Sequence, residues 1–524
     1  MEGGQPKLNK PCILLIVIAG MERFAFKGVA ANLVTYLTEV MKMKNSSAAK
    51  MVNNWCGFTS MLPLVVASLA DSYWDKYTTI LVSSFLYLLG LVALTSTAME
   101  WPWIPTSKTG AASCLSWSLY MISLGQGGYN PSLQAFAADQ LDHHDQLPSD
   151  NNKILNNNNE NKKKSLFFHW WYFGICTGCL LGISFLAYIQ DNIGWGLGFA
   201  IPTAAMLLSI AFFTSGSRFY TYNKQTETAK FTKSLEYMVA AFRSTAAKLI
   251  RLQNKDALVG THEIELEEKK SLCLEGDIEG LGEIPDMNPI DILKAAWRLF
   301  PIWVLLLTFA VIFQQPLTFF TKQGMTMKRN IMGGFKVPPA ALQSAITISI
   351  IILMPLYDAV FVPFMRRMTR NEKGITVMQR MGVGMFLSVV AMAIAAVVEE
   401  KRLRTARKSE MSIFWLLPQY IILGISDIFT VVGMQEFFYG EVPARMKTMG
   451  IALCTSVFGV GNFMSAFLIT AVEKFTGGGG EKENWFSDNM DEARLDKYYW
   501  LLAMASAFTF LLFIIFCKFY TTRT

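Results

Sequence analysis

Apolar runs of about twenty residues recur along the whole chain, and no other feature restricts its fold as strongly. In hydrocarbon every backbone N–H and C=O must find its partner inside the chain, so runs of this length fold as helices. Twelve can be read: about 11–38, 52–71, 77–98, 113–137, 166–190 and 195–214, then 297–320, 338–364, 374–398, 411–437, 446–473 and 498–519. A polar stretch at 215–296 separates six from six. The expected fold class is an all-α membrane protein with twelve transmembrane helices. Two six-helix halves, 11–214 and 297–520, flank a linker at 215–296. The linker opens with the helically periodic 234–243, suited to a membrane surface, and continues into the acidic 263–270. Only 17% of the 524 residues are charged and 52% are hydrophobic, against about 25% charged in soluble domains.

The net charge of +7 does not indicate a nucleic-acid partner, because Lys and Arg lie mostly between the apolar runs rather than on one basic face. An even helix count puts both termini, the linker and the Asn- and Lys-rich loop at 151–164 on one side, expected to be the cytosol. The first apolar run has no small-residue cleavage site and reads as an uncleaved insertion signal. The eight cysteines show no framework. Cys176 and Cys179 form a C-x-x-C inside a helix and read as small hydrophobes rather than a metal or redox pair. None of His143, His144, His169 and His262 lies deep in a helix or joins a ligand cluster, so no metal is expected. Phosphate-binding, nucleotide-binding and nucleophile-elbow motifs are lacking, so neither a cofactor nor an enzyme is expected. The expected partners are the lipid bilayer and a small-molecule or anion substrate. Asn45-Ser46-Ser47 is a glycosylation sequon, read as a chance match.

Ionisable groups inside a membrane are costly and mark candidate sites. The first helix carries Glu22, Arg23 and Lys27. Arg23 and Lys27, four apart, share a face, with Glu22 about 100° away from Arg23. The set lines a wet cavity or forms a structural ion pair. The tenth helix carries Asp427 at its middle, a cavity candidate, and Glu436 near its end, a gating or packing candidate. The seventh ends in Phe313-Gln314-Gln315-Pro316, two amides that line a cavity or cap a proline-broken helix ladder. The fourth carries Gly125-Gln126-Gly127-Gly128-Tyr129-Asn130-Pro131, whose glycines permit close helix approach. Gln315, Tyr36 and Trp415 are further candidate lining groups.

These residues resemble the plant nitrate/peptide transporter family, part of the proton-dependent oligopeptide transporter superfamily, and its fifth subfamily most of all. The likeness runs through Glu22–Gly28 and Asn32–Leu37, Leu69–Tyr73 with Asp71 as a gating or structural candidate, and Gln134–Gln140. It continues through Trp170–Phe173, Tyr188–Asp191, Arg298–Trp303, Pro355–Asp358 and Glu436–Tyr439. It implies the major facilitator fold, alternating access between the halves, and the vacuolar or plasma membrane. Three departures matter. Where proton-coupled members carry the first Glu of E-x-x-E-R, this chain has Ala19. Where they carry a Lys on the fourth helix, it has Asn130. Phe313 stands where one branch has a nitrate-binding His. Loss of both members of a switchable pair orphans no charge and implies weak or absent proton coupling. The first expectation is therefore transport of nitrate or a similar small solute, with Arg23 and Lys27 attracting the anion. The alternatives are proton-coupled transport of peptides, amino-acid derivatives or plant metabolites through Glu22 and Asp427, and a ligand sensor that does not transport.

Overall fold

The computed structural model describes residues 10–73, 75–99, 108–142, 167, 170–221, 289–331, 334–369, 375–405, 411–441, 447–477 and 484–521. Contacts group residues 1–224 with 302–524, and 225–301 form a separate unit.

The first half contains α1 (Lys10–Ala30), α2 (Leu33–Glu39), α3 (Asn45–Tyr73), α4 (Lys76–Ala98), α5 (Lys108–Asp142), α6 (Trp170–Asn192) and α7 (Trp195–Ser215). The second contains α8 (Pro289–Phe313), α9 (Phe319–Met325), α10 (Ser344–Leu356), α11 (Val362–Thr369), α12 (Val377–Thr405), α13 (Leu417–Gly440), α14 (Lys447–Thr476) and α15 (Leu495–Thr521). Among the described residues nine helical stretches are long and apolar enough to cross a bilayer. Three further helices, α1, α3 and α5, are 21, 29 and 35 residues long but more polar. Those three supply most of the polar groups described below, so their weaker hydropathy has a cause: one face is turned from lipid.

Two separate apolar cores explain the two halves. One is built only from residues between Cys12 and Tyr220. The other runs from Val311 to Ala503 and takes a single residue, Ala49 of α3, from the first half. Outside them, large apolar side chains such as Trp117, Phe467, Met504 and Phe508 are exposed, as a lipid-facing surface requires.

Three expected helices are interrupted. The first stops at Ala30 and resumes at Leu33. The seventh stops at Phe313, passes through a 3-10 turn at Gln315–Leu317 and resumes at Phe319. Pro316 accounts for the second break, since it lacks an N–H and crowds the preceding turn. The first has no proline. There the Ala31 carbonyl accepts a hydrogen bond from Gln343 Nε2 at 2.9 Å, so a second-half side chain meets the interrupted backbone. The eighth helix is likewise divided, by a π-turn at Tyr357–Phe361 directly after Pro355.

α1 and α6 meet at backbone distance. A methyl group at Gly178 would lie 2.1 Å from the Gly20 carbonyl oxygen, and one at Gly182 would lie 2.5 Å from that of Phe24. Only glycine permits this approach, and α6 makes a π-turn over Gly182–Leu186 where it occurs.

Candidate substrate cavity

The Glu22 side chain is 1% exposed, and its carboxylate is held from two helices. Its own neighbour Arg23 brings Nε to 3.4 Å of Oε2. From α5, Gln126 Nε2 donates to Oε1 at 3.3 Å. With the Asn130 amide oriented so that both its atoms are satisfied, its nitrogen donates to Glu22 Oε2 at 3.1 Å and its oxygen accepts from Arg23 Nη2 at 3.2 Å. One neutral amide thus bridges both charges of the pair. Ala19, 4% exposed and one turn before Glu22, adds no polar atom. The cluster is neutral, and both carboxylate oxygens of Glu22 are engaged, while Gln126 Oε1 has no hydrogen-bond partner. Gln126 did not stand out as a candidate in the sequence. Its spacing of four from Asn130, which puts the two on one helix face, was the available signal.

Lys27 lies one turn beyond Arg23 and is partly exposed. Among the described residues it makes neither an ion pair nor a hydrogen bond, but its charge acts on Asp427 of α13, Cys56 of α3 and Cys179 of α6. Lys27 is the one cation among the described residues that acts on Asp427. One ammonium and one carboxylate, neither with an ion pair or hydrogen bond among the described residues, therefore lie within electrostatic reach of each other from opposite halves. The charge of Asp427 also reaches Tyr172 and Cys176 of α6.

The broken seventh helix completes this wall. Gln314, 5% exposed, lies beside the Cys56 thiol, and its Nε2 has no hydrogen-bond partner. Gln315 is fully buried with its Nε2 turned back to the Val311 carbonyl at 3.0 Å. Gln314 thus sits against α3 while Gln315 folds back on its own helix, the 3-10 turn beginning between them. Phe313 is partly exposed and forms an aromatic wall with Phe309 and Phe458, its ring centroid 5.9 and 6.0 Å from theirs.

Other candidates lie elsewhere. Tyr36 is fully buried within the first half, its hydroxyl 3.3 Å from Thr97 Oγ1 and its ring against Trp195 and Phe199. It packs the helices rather than lining the cavity. Trp415 is 47% exposed in the turn before α13, with Lys401 Nζ 3.5 Å above its ring. That contact belongs to the protein surface. Glu436 pairs with Arg380 of α12, which also lies over the Tyr357 ring, so it joins helices of one half. The Asp71 side chain, the linker at 222–288 and the loop at 151–164 lie outside the described residues. Among the described residues no cluster of His, Cys, Asp and Glu has metal-binding geometry.

The Tyr188–Asp191 and Asn45 motifs are used at the end of α6 and the start of α3. Gln190 Nε2 donates to the Gly28 carbonyl at 3.0 Å, and Asp191 pairs with Arg329 at 2.9 Å. Asn45 is 5% exposed and its side-chain amide is engaged, so the sequon asparagine is not presented to solvent.

Comparison with known proteins places this geometry. The family model described as PTR2, POT family, matches residues 77–486. The Arabidopsis thaliana protein NRT1/PTR FAMILY 5.9 is 54% identical over 99% of this chain and 96% of its own length. NRT1/PTR FAMILY 5.11 of the same plant is 39% identical over 98% and 93%. The crystal structure of the POT family transporter PepTSo superposes with a TM-score of 0.71 at 19% identity, covering 99% of this chain and all of its own. A family model that matches residues 77–486 and extended identity to these relatives have one reading: the chain belongs to the POT family of membrane transporters.

Proposed function

We propose that the chain moves a small amphoteric solute, one carrying both an anionic and an amino group, by alternating access between its halves. The observation that carries this reading is the division of charges in the cavity. The charges of Glu22 and Arg23 are engaged by each other, Asn130 and Gln126, which leaves Lys27 from one half and Asp427 from the other to meet a solute. An anionic group fits Lys27 with the free Gln314 N–H, and an ammonium fits Asp427. The aromatic wall at Phe309, Phe313 and Phe458 suits an apolar side chain. A bare anion such as nitrate is the second reading. The absence of an ion pair on Lys27 favours it, and the carboxylate of Asp427 opposes it.

Transport on this reading is facilitated rather than obligatorily proton-driven. Ala19 and Asn130 cannot titrate, and Glu22 is engaged by three neighbours. The test is uptake into liposomes of amino acids, short peptides and nitrate, with and without an imposed pH gradient. Lys27→Gln should raise KM for solutes bearing a carboxylate, and Asp427→Asn should abolish the preference for those bearing an amine. Nitrate uptake with amphoteric solutes excluded would replace the first reading by the second. Uphill accumulation driven by the pH gradient and lost in Glu22→Gln would overturn the uncoupled mechanism.

A further inference from the structure

The start of α3 and the end of α6 carry contacts that the cavity does not explain. The connection between α14 and α15 is folded over residues 484–494. Phe486 stacks on Phe319 at 5.0 Å, and the Arg494 N–H donates to the Trp485 carbonyl at 3.1 Å. A buried pair anchors this segment. Arg402 makes two hydrogen bonds to Glu399, both at 2.9 Å, then donates to the Met490 carbonyl at 2.6 Å and to Asp491 at 3.0 Å. The opposite edge of the segment reaches into the other half. Asp488 Oδ1 accepts from the backbone N–H of Asn45 at 2.8 Å, and Asn45 Nδ2 donates to the carbonyls of Asp488 at 3.1 Å and Ser487 at 3.3 Å. Asn45 is the first residue of α3. A carboxylate from the second half therefore caps a helix of the first, where unpaired N–H groups and the helix dipole both favour a negative group.

A second contact has the complementary arrangement. The α9–α10 connection folds back through the bridge between Asn330 and Lys336, with Gly334 at φ +83° in its turn. It meets the end of α6 through Arg329 on Asp191, Phe335 stacked on Tyr188 at 5.2 Å, and the Lys336 carbonyl, which accepts from Asn192 at 3.4 Å. In each case a connection of the second half holds a helix end of the first. The corner between the first and second helices of one half meets the end of the fifth, or the connection after it, in the other, as a two-fold relation between the halves requires.

We propose that residues 484–494 are a latch anchored on Arg402. Their cap on α3 holds the cavity shut at the end where α3 begins, and release of that cap is a required step of opening there. This rests on the alternating-access reading, but its test needs no solute. The full chain in nanodiscs carries spin labels on noncanonical residues at Lys42 and Glu492, both exposed and on opposite sides of the contact. Loss of one helix cap should enlarge the population with a long label distance about fivefold. Asp488→Ala removes an exposed side chain, and Asn45→Ala removes the other partner. Both should show the increase, whereas Arg404→Ala, which breaks a surface pair with Glu400, should not. Distance distributions of Asp488→Ala and Asn45→Ala that superimpose on the parent would overturn the latch. Absence of solute flux in the parent, with the distances still shifting, would overturn the carrier reading alone.

Discussion

Replacing Asn130 by lysine recreates one charge of the proton-coupled pattern, and the cluster it enters fixes the cost. Asn130 accepts from Arg23 Nη2 and donates to Glu22 Oε2. An ammonium can keep the second contact but not the first. Two like charges about 4 Å apart at an effective dielectric of about 20 repel by about 4 kcal/mol, and attraction to Glu22 at a similar distance offsets about the same amount. The remainder is the acceptor lost to Arg23, a hydrogen bond to a charged group worth about 1.5–3 kcal/mol. The cluster also changes from neutral to net positive. Ala19→Glu alone places a carboxylate at a 4% exposed position without a partner and should be destabilising as well. Together the two substitutions restore neutrality. Thermal unfolding of the parent, both single variants and the double variant forms a cycle with an expected favourable coupling of at least about 1.5 kcal/mol. The double variant should also acquire uptake stimulated by an inward proton gradient. A coupling near zero, or a double variant less stable than the sum of the single losses, would refute the claim that Asn130 replaces a charge pair.

Three further outcomes are expected. Arg402→Ala strands Glu399 in a fully buried site and should cost about 3–5 kcal/mol, measured as a fall in apparent melting temperature in detergent. Gln314→Leu should raise KM for the transported solute severalfold with kcat little changed, while Gln315→Leu should leave KM in place and lower stability instead. Gln126→Leu removes one of three partners of a buried carboxylate and should destabilise by about 1–3 kcal/mol without altering solute selectivity, read from unfolding and uptake in parallel.

Hydropathy locates most of the helices, because twenty apolar residues in a row have one stable arrangement in lipid, but α1, α3 and α5 are more polar and carry a weaker signal. It also points to Glu22, Arg23, Lys27 and Asp427, since charges are costly there. Phase beyond a break is less legible. Gln314 and Gln315 are equally polar, and only the 3-10 turn decides which sits beside Cys56 and which folds back on Val311. The break at Ala31–Asn32 has no proline or glycine to announce it and coincides with a bond from a residue 312 positions away. Tyr36 and Trp415 illustrate a related limit: an aromatic ring with a polar tip suits a cavity wall, a helix seam or a surface equally well, and only packing separates them. Asn45 and Asp488 are 443 residues apart, and their pairing has no local signature.

The glycine seam between α1 and α6 has a consequence for how relatives diversify. With Gly20 and Gly178 in backbone contact, neither helix can shift to widen the chamber without losing the seam. The first-half wall is thus a fixed jig. Changes of solute size must be accommodated on the other side, around Phe309, Phe313 and Phe458. Paralogues that differ in cargo should differ there first while sharing the glycines.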